Sequence, residues 1–175
     1  MGKTNWYVIT GGPSSGKTTT VDLLKKEGYK TTIEHARHYI DTQLVAGKTT
    51  EEIRANQIDF QSKVFAMQIE QEKQLPPDEV IFLDRAIPDA LAYYRFLNIE
   101  PGKDLWDALK HVSYKKVFIL DPLPLTKDYA RTEDAADQKR IHELIAEIYE
   151  SLPFPVVHVP VLPPTERVDF ILEHQ

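Results

Sequence analysis

Cysteine is absent from this chain of 175 residues, which excludes disulfide bonds, a thiolate nucleophile and a cysteine-based metal site. No stretch approaches the roughly 18 apolar residues of a membrane span, and the first residues lack the apolar segment of a signal peptide. Basic residues number 21 against 27 acidic ones, which gives a formal charge of −6. That balance argues against the basic surface that binding to a nucleic acid polymer requires. We therefore expect a cytoplasmic protein with no membrane or nucleic acid partner.

Apolar residues make up 42% of the chain, enough to bury one core in a single domain spanning residues 1–175. Short apolar runs predict strands at 6–10, 79–83, 116–120 and 156–159, and a segment rich in β-forming residues predicts another at 29–34. Segments with helical periodicity predict helices at 18–27, 35–46, 49–75, 88–97, 105–112, 141–152 and 165–174. Strands that alternate with helices predict an α/β fold, in which helices cover both faces of a parallel sheet.

The predicted helix at 49–75 begins with Thr49 and Glu52, which fit the pattern of a capping box. Its apolar residues fall on two neighbouring faces and predict a wide buried arc. One face carries Ile53, Phe60, Val64 and Met67, and the other carries Ile58, Phe65 and Ile69. Two prolines that follow Leu75 end the helix.

The segment GGPSSGKT, from Gly11 to Thr18, fits the G-x-x-x-x-G-K-[ST] pattern of a P-loop and stands between a predicted strand and a predicted helix. Glycines let the backbone bend around a phosphate, and the helix presents its positive end to the same group. Lys17 adds a positive charge at the β- and γ-phosphates, and the Thr18 hydroxyl is placed to bind Mg²⁺. The predicted nucleotide-binding residues are Gly11, Gly12, Pro13, Ser14, Ser15, Gly16, Lys17, Thr18 and Thr19.

A second pattern, VIFLDR, places four apolar residues before Asp84 and Arg85. It is typical of a Walker B strand, whose terminal carboxylate lies near the water shell of Mg²⁺ or near the nucleophile. A strand that merely ends in a charged pair is the alternative. If the segment is a Walker B strand, Arg85 lies at the carboxyl edge of the sheet, where ligands bind in open α/β folds.

Glu34 and Arg37 follow another predicted strand and are three residues apart, so they can face the same side as a helix begins. Glu34 could accept a proton, and Arg37 could hold a phosphate or a transferring phosphoryl group. A surface ion pair is the alternative. His35 and His38 are interpreted as ordinary histidines, because no third metal ligand stands at a recognisable spacing.

Residues 121–136 are rich in proline and charge and predict a long loop or lid. Arg131 within it could close over a triphosphate and help to exclude water, although a solvated charged loop is the alternative. The aromatic cluster Tyr93, Tyr94 and Phe96 is interpreted as part of a helix core.

In order along the chain stand GGPSSGKTT, IEHAR, FLDRAIPDALAYY, DYARTED, VVHVP and ERVDFIL. As an ordered set these segments resemble the small "predicted ATPase" P-loop proteins that are grouped with the ribosylnicotinamide kinase domain. The resemblance covers nearly the whole chain. It implies a P-loop NTPase fold of the kinase–GTPase division, with a five-stranded parallel sheet in which the Walker B strand neighbours the P-loop strand. It also implies ATP or GTP as cofactor, together with Mg²⁺.

By the same resemblance, the catalytic residues would be Lys17, Glu34, Arg37, Asp84, Arg85 and Arg131, and the metal would be held by Thr18 and Asp84. Glu34 or Asp84 would be the base, Arg37 and Arg85 the cations on the acceptor side, and Arg131 the lid arginine. The chain departs from GTPases, which carry an N-K-x-D motif, and from ATPases with a glutamate after the Walker B aspartate, because Arg85 stands there.

Two functional hypotheses follow. The first is a kinase that transfers the γ-phosphoryl group of ATP to a hydroxyl of a small nucleoside- or nucleotide-like acceptor. The second is a regulatory module that binds a nucleoside triphosphate or hydrolyses it slowly, without a small-molecule acceptor. Both departures favour the kinase.

Overall fold

The computed structural model describes residues 2–36, 39, 46–55, 57–123 and 135–175. Its centre is a parallel sheet of five strands in the order β2-β3-β1-β4-β5. The strands are β1 (Trp6–Thr10), β2 (Lys30–Thr31), β3 (Ile81–Asp84), β4 (Lys116–Leu120) and β5 (Val156–Val159). The expected five-stranded parallel sheet is confirmed, and β3, the predicted Walker B strand, is hydrogen-bonded to β1.

The described helices are α1 (Lys17–Lys26), α2 (Thr50–Ala55), α3 (Gln57–Gln74), α4 (Ile87–Phe96), α5 (Lys103–Leu109), α6 (Ala135–Glu150) and α7 (Pro164–Glu173). Alternate side chains of β1 enter different cores, because successive residues of a strand point to opposite faces. Trp6 and Val8 pack with residues of α3, α4, α5 and α6. Tyr7 and Ile9 pack with residues of α1 and α7. Helices therefore cover both faces, which is why the central strands β1, β3 and β4 consist mostly of apolar residues.

The capping box at Thr49 is present in part, since the Glu52 amide donates to Thr49 Oγ1 across 3.1 Å. The predicted arc on α3 is correct at Phe60 and Phe65, which are buried, but wrong at Ile58, which is 63% exposed. Ile58 shares the face of Phe65 yet lies two turns earlier, about 10 Å along the axis, beyond the main core. The side chain of Ile53 lies outside the described residues.

The second strand is shorter than the predicted 29–34. Thr32 still donates its amide to the Phe82 carbonyl, but its side-chain Oγ1 accepts the Asp84 amide at 2.9 Å, in the place of a backbone carbonyl. The hydrogen-bond ladder between β2 and β3 ends there, so Glu34 lies beyond the carboxyl end of β2. Most of the predicted helix at 35–46 lies outside the described residues. None of the helices within the described ranges is long and apolar enough to span a bilayer.

Candidate active site

The P-loop turns the chain from β1 into α1. Gly11 has a φ of 147°, and a Cβ at this position would lie 2.8 Å from the Leu120 carbonyl oxygen. Gly16, with a φ of 85°, precedes α1 and has no side chain that could accept hydrogen bonds from the amides of the first turn. The amides and the positive end of α1 therefore form a site suited to an anionic ligand.

Two side chains of α6 hold the first half of the loop. The Gly12 amide donates to Nδ1 of His142 at 3.1 Å, and Gln138 Nε2 donates to the Pro13 carbonyl at 2.6 Å. Because Nδ1 accepts, the His142 ring is neutral with its proton on Nε2. Burial is the main reason why the pKa of His142 is lowered, which favours that neutral form.

Arg167 of α7 holds the second half of the loop. Its guanidinium donates to the carbonyl oxygens of Ser15, of Asp121 at 2.6 Å and of Pro160 at 3.0 Å. Arg167 is only 2% exposed, so these carbonyls replace most of its water. The residue therefore connects the P-loop to the chain segments that follow β4 and β5.

The loop residues that are predicted to bind phosphate differ in exposure. Lys17 is 2% exposed, and its ammonium is close enough to Asp84 to lower the pKa of that carboxyl. Thr18 and Thr19 are exposed at the start of α1. The buried Ser15 Oγ has no hydrogen-bond partner among the described residues. The loop thus keeps its lysine inside the site and the Thr18 hydroxyl at its surface.

Asp84 ends β3 beside the P-loop strand and is 4% exposed. Burial raises the pKa of its carboxyl to about 7, and the Glu34 charge adds to the increase, against the opposing effects of Lys17 and Arg85. Its Oδ1 atom has no hydrogen-bond partner within the described part of the chain. A buried carboxylate oxygen without a donor suits a cation or a cation-bound water, which is the role predicted for this residue.

Arg85 adopts a left-handed backbone conformation with a φ of 67°. Its Nε lies 3.6 Å from Glu34 Oε1, its Nη1 lies 2.8 Å from Asp89 Oδ2, and its Cζ stands 5.2 Å from the Tyr93 ring centre. Burial lowers the pKa of the guanidinium, but Tyr93, Asp89 and Glu34 together raise it above its ordinary value. The cation is therefore held between two carboxylates and an aromatic face.

The structure thus brings four predicted residues into one cluster, namely Lys17, Glu34, Asp84 and Arg85. Arg37 and His38 lie outside the described residues, as do Arg131 and most of the predicted lid. His35 is described, and its Nε2 lies 2.7 Å from Gln71 Oε1. Tyr94 is buried, as expected of a core residue, whereas Tyr93 contacts Arg85 and so belongs also to the site.

Sequence reasoning missed the residues that support the site. They are Asp89, Gln138, His142, Tyr149 and Arg167. Their partners lie far away in the chain, so no local pattern shows them. Asp89 alone had a signal, because an aspartate in the FLDRAIPDALAYY segment is one helical turn from Arg85.

The P-loop between β1 and α1, together with the order of the parallel strands, defines a P-loop kinase-like fold. A family model described as an AAA domain matches residues 6–167. The protein therefore belongs to that family. A search of curated proteins found no match.

Solved structures share this fold at low sequence identity. A deoxyadenosine kinase from M. mycoides, with dCMP and dCDP bound, has a TM-score of 0.67 at 17% identity, covering 97% of each chain. NadR in complex with NR has a TM-score of 0.65 at 17% identity, covering 96% of this chain and 48% of NadR. Thymidylate kinase from Ehrlichia chaffeensis has a TM-score of 0.64 at 15% identity, covering 97% of each chain.

Proposed function

We propose that this protein is a Mg²⁺-dependent phosphotransferase that moves the γ-phosphoryl group of ATP to a hydroxyl of a small nucleoside- or nucleotide-like acceptor. One observation carries the proposal. Glu34, Asp84 and Arg85 gather beside the buried Lys17 of the P-loop, so a donor half and an acceptor half share one edge of the sheet. The structural neighbours include kinases of nucleosides and nucleotides, which agrees with this acceptor class.

The donor half consists of Gly11 to Thr19. Its amides and Lys17 would bind the β- and γ-phosphates, and the three anchors from α6 and α7 keep the loop in shape before the nucleotide arrives. Thr18 and Asp84 would hold Mg²⁺, and Asp84 would do so through a water and with its Oδ1 atom, which has no partner among the described residues. When bound, Mg²⁺ neutralises charge on the β- and γ-phosphates.

The acceptor half would orient the hydroxyl and take its proton. We assign the base to Glu34 and metal binding to Asp84, because Asp84 is the more deeply buried and feels the charge of Lys17. The oxygen–phosphorus bond to the acceptor forms while the bond from the γ-phosphorus to the ADP oxygen breaks. The hydroxyl proton passes to Glu34, and Arg85 stabilises the charge that develops on the phosphoryl oxygens.

Arg37 and Arg131 complete the proposal. Arg37 follows Glu34 by three residues and would be a second cation on the acceptor side, and Arg131 would approach the triphosphate from the lid. Removing either cation should lower acceptor-dependent turnover more than ATP affinity, since both act on the phosphoryl group in transfer.

The test measures formation of ADP from ATP and of GDP from GTP, with and without each member of a panel of nucleosides and nucleotides. We expect ADP to form with one class of acceptor and a product heavier by one phosphate to appear by mass spectrometry. Lys17→Ala should abolish both. Lys25→Ala is the matched control, because Lys25 is an exposed lysine on the same helix. Tight ATP binding with no acceptor-dependent ADP would reject the kinase and favour the regulatory module.

A further inference from the structure

Asp89 lies in the first turn of α4, is 4% exposed, and has no role in the transfer proposed above. Its Oδ2 atom accepts hydrogen bonds from Thr10 Oγ1 at 2.6 Å and from Arg85 Nη1 at 2.8 Å. Thr10 is the last residue of β1 and immediately precedes the P-loop, whereas Arg85 directly follows β3. A single oxygen atom therefore joins the entry of the donor half to the cation of the acceptor half.

The other oxygen of Asp89 is occupied as well. Its Oδ1 atom accepts from the Ala86 amide at 3.2 Å and from the Tyr149 hydroxyl. A carboxylate offers about four acceptor positions, and four donors now fill them. Asp89 is therefore not placed to take a proton from an acceptor or to ligate a metal, so it must act through its neighbours.

The Arg85 side chain needs a partner that holds it in one conformation. Its left-handed backbone is unfavourable for a residue with a side chain, and its long side chain has several rotamers to lose. Glu34 approaches its Nε at 3.6 Å, which is longer than a hydrogen bond, and the Tyr93 ring restrains only the plane of the guanidinium. Among the contacts that Arg85 makes with described residues, the 2.8 Å bond to Asp89 is the one short enough to set the direction of the guanidinium.

We propose that Asp89 is a positioning residue that fixes the Arg85 guanidinium relative to the start of the P-loop, and thereby aligns the acceptor with the γ-phosphate. The inference rests on the proposed phosphoryl transfer. It assigns the alignment of the two half-sites to one buried carboxylate that bridges Thr10 and Arg85.

The first test is Asp89→Asn, which keeps the shape but replaces one accepting oxygen with an NH₂ group. We expect kcat/KM for the acceptor to fall about 10- to 100-fold, the range for losing a charge-assisted hydrogen bond, while the Kd of ATP changes less than twofold. Asp104→Asn is the matched control, because Asp104 is an exposed aspartate in the first turn of α5. An unchanged kcat/KM in Asp89→Asn, or an equal loss of ATP affinity, would overturn the inference.

A double-mutant cycle separates positioning from general support of the fold. If Asp89 acts through Arg85, adding Asp89→Asn to Arg85→Lys should lower kcat/KM by less than threefold more. Multiplicative losses would show that the two residues act independently. Should Asp89→Asn fail to fold, Thr10→Val breaks the same bridge and should lower kcat/KM, and Thr10→Ser should restore it; no loss in Thr10→Val would count against the bridge.

A readout without turnover distinguishes this inference from the proposed function. In the wild type, the guanidinium ¹H–¹⁵N signals of Arg85, assigned with Arg85→Lys, should show slow rotation and slow exchange. Asp89→Asn should remove that protection, and Asp104→Asn should leave it. Loss of protection in a protein that phosphorylates no acceptor would reject the kinase but keep Asp89 as the anchor of Arg85. Persistent protection in Asp89→Asn would reject the anchor and leave the kinase proposal standing.

Discussion

The main-chain amide of Gly12 donates a hydrogen bond to Nδ1 of His142 across 3.1 Å, so the P-loop backbone rests on a neutral imidazole. The charges of Asp121 and Glu143 raise the pKa of this ring, and that of His158 lowers it. Burial outweighs the two carboxylates and lowers the pKa of His142. Protonation of the ring would replace an acceptor with a second donor and break the contact to the loop.

We therefore expect acid to weaken nucleotide binding. Because the folded-state pKa of His142 lies below its unfolded value of about 6.5, the unfolded chain binds the proton more readily. The stabilisation is complete above about pH 6.5 and falls as the pH drops towards the folded-state pKa. ATP affinity and melting temperature should be measured from pH 5 to 8. His142→Asn, which can accept but does not titrate, should flatten the acid limb, and the same substitution at the exposed His111 should not.

Asp84 should show the opposite dependence in protein without metal. Its carboxyl has a pKa raised to about 7, chiefly by burial, so the unfolded state loses its proton first as the pH rises. Ionisation of Asp84 thus destabilises the fold progressively between about pH 4 and 7, and fully above that range. Asp84→Asn should raise the melting temperature at pH 8 but not at pH 4. Equal shifts at both values would contradict the assigned pKa.

The substitution Asp84→Asn should also weaken Mg²⁺ binding. Asp84→Asn is expected to raise the Mg²⁺ concentration needed for half-maximal turnover at least about tenfold, since a carboxylate near the ion is lost. Binding of Mg²⁺–ATP to the wild type near pH 7 should release protons, which calorimetry in buffers of different ionisation enthalpy detects. Absence of both effects would remove Asp84 from the metal site.

Kinetic measurements should distinguish the roles of Glu34 and Asp84. Glu34→Gln is expected to lower kcat by about 10²- to 10⁴-fold, the range for loss of a general base, with the Kd of ATP unchanged. Glu79→Gln is the matched control, because Glu79 is 53% exposed and pairs with Lys30 away from the P-loop. If Glu34→Gln retains kcat, the base is not Glu34, and Asp84 becomes the better candidate.

Arg167 should contribute both to the free energy of unfolding and to ATP binding by the P-loop. A lysine can reach at most some of the three carbonyls that the guanidinium contacts, so Arg167→Lys should cost about 1–3 kcal/mol of unfolding free energy and weaken ATP binding. Chemical denaturation and ATP titration measure the two effects. Arg140→Lys, at an arginine with 58% of its side chain exposed, should change neither.

Local sequence patterns predicted much of the fold because the core of this protein is continuous along the central strands β1, β3 and β4. The strands at 6–10, 116–120 and 156–159 have the predicted bounds, and in the first two an apolar run is buried between two helical layers. Ile58 shows the limit of periodicity, which gives the angle of a side chain around a helix but not the extent of the core along it. The placement of Glu34 beside Arg85 followed from both residues standing near carboxyl ends of parallel strands.

The supporting contacts could not be predicted in this way. Thr10 and Asp89 are 79 residues apart, Gly12 and His142 are 130 apart, and Ser15 and Arg167 are 152 apart. Each of these contacts depends on the packing of a whole helix against the sheet. An isolated polar residue in an amphipathic helix does not indicate whether its partner is water or a distant backbone group.

The position of helix α6 has a consequence for how the two proposed substrates, ATP and the acceptor, would influence each other. The same helix contacts the P-loop through Gln138 and His142, and it contacts Asp89 through Tyr149. If either ligand suppresses local opening of α6, the other ligand meets a helix already ordered, and binding becomes cooperative without a change of shape. Thermodynamic reciprocity then requires ATP and the acceptor to raise each other's affinity by the same factor. Slower hydrogen exchange of α6 amides with either ligand alone would reveal this coupling, and unchanged exchange would exclude it.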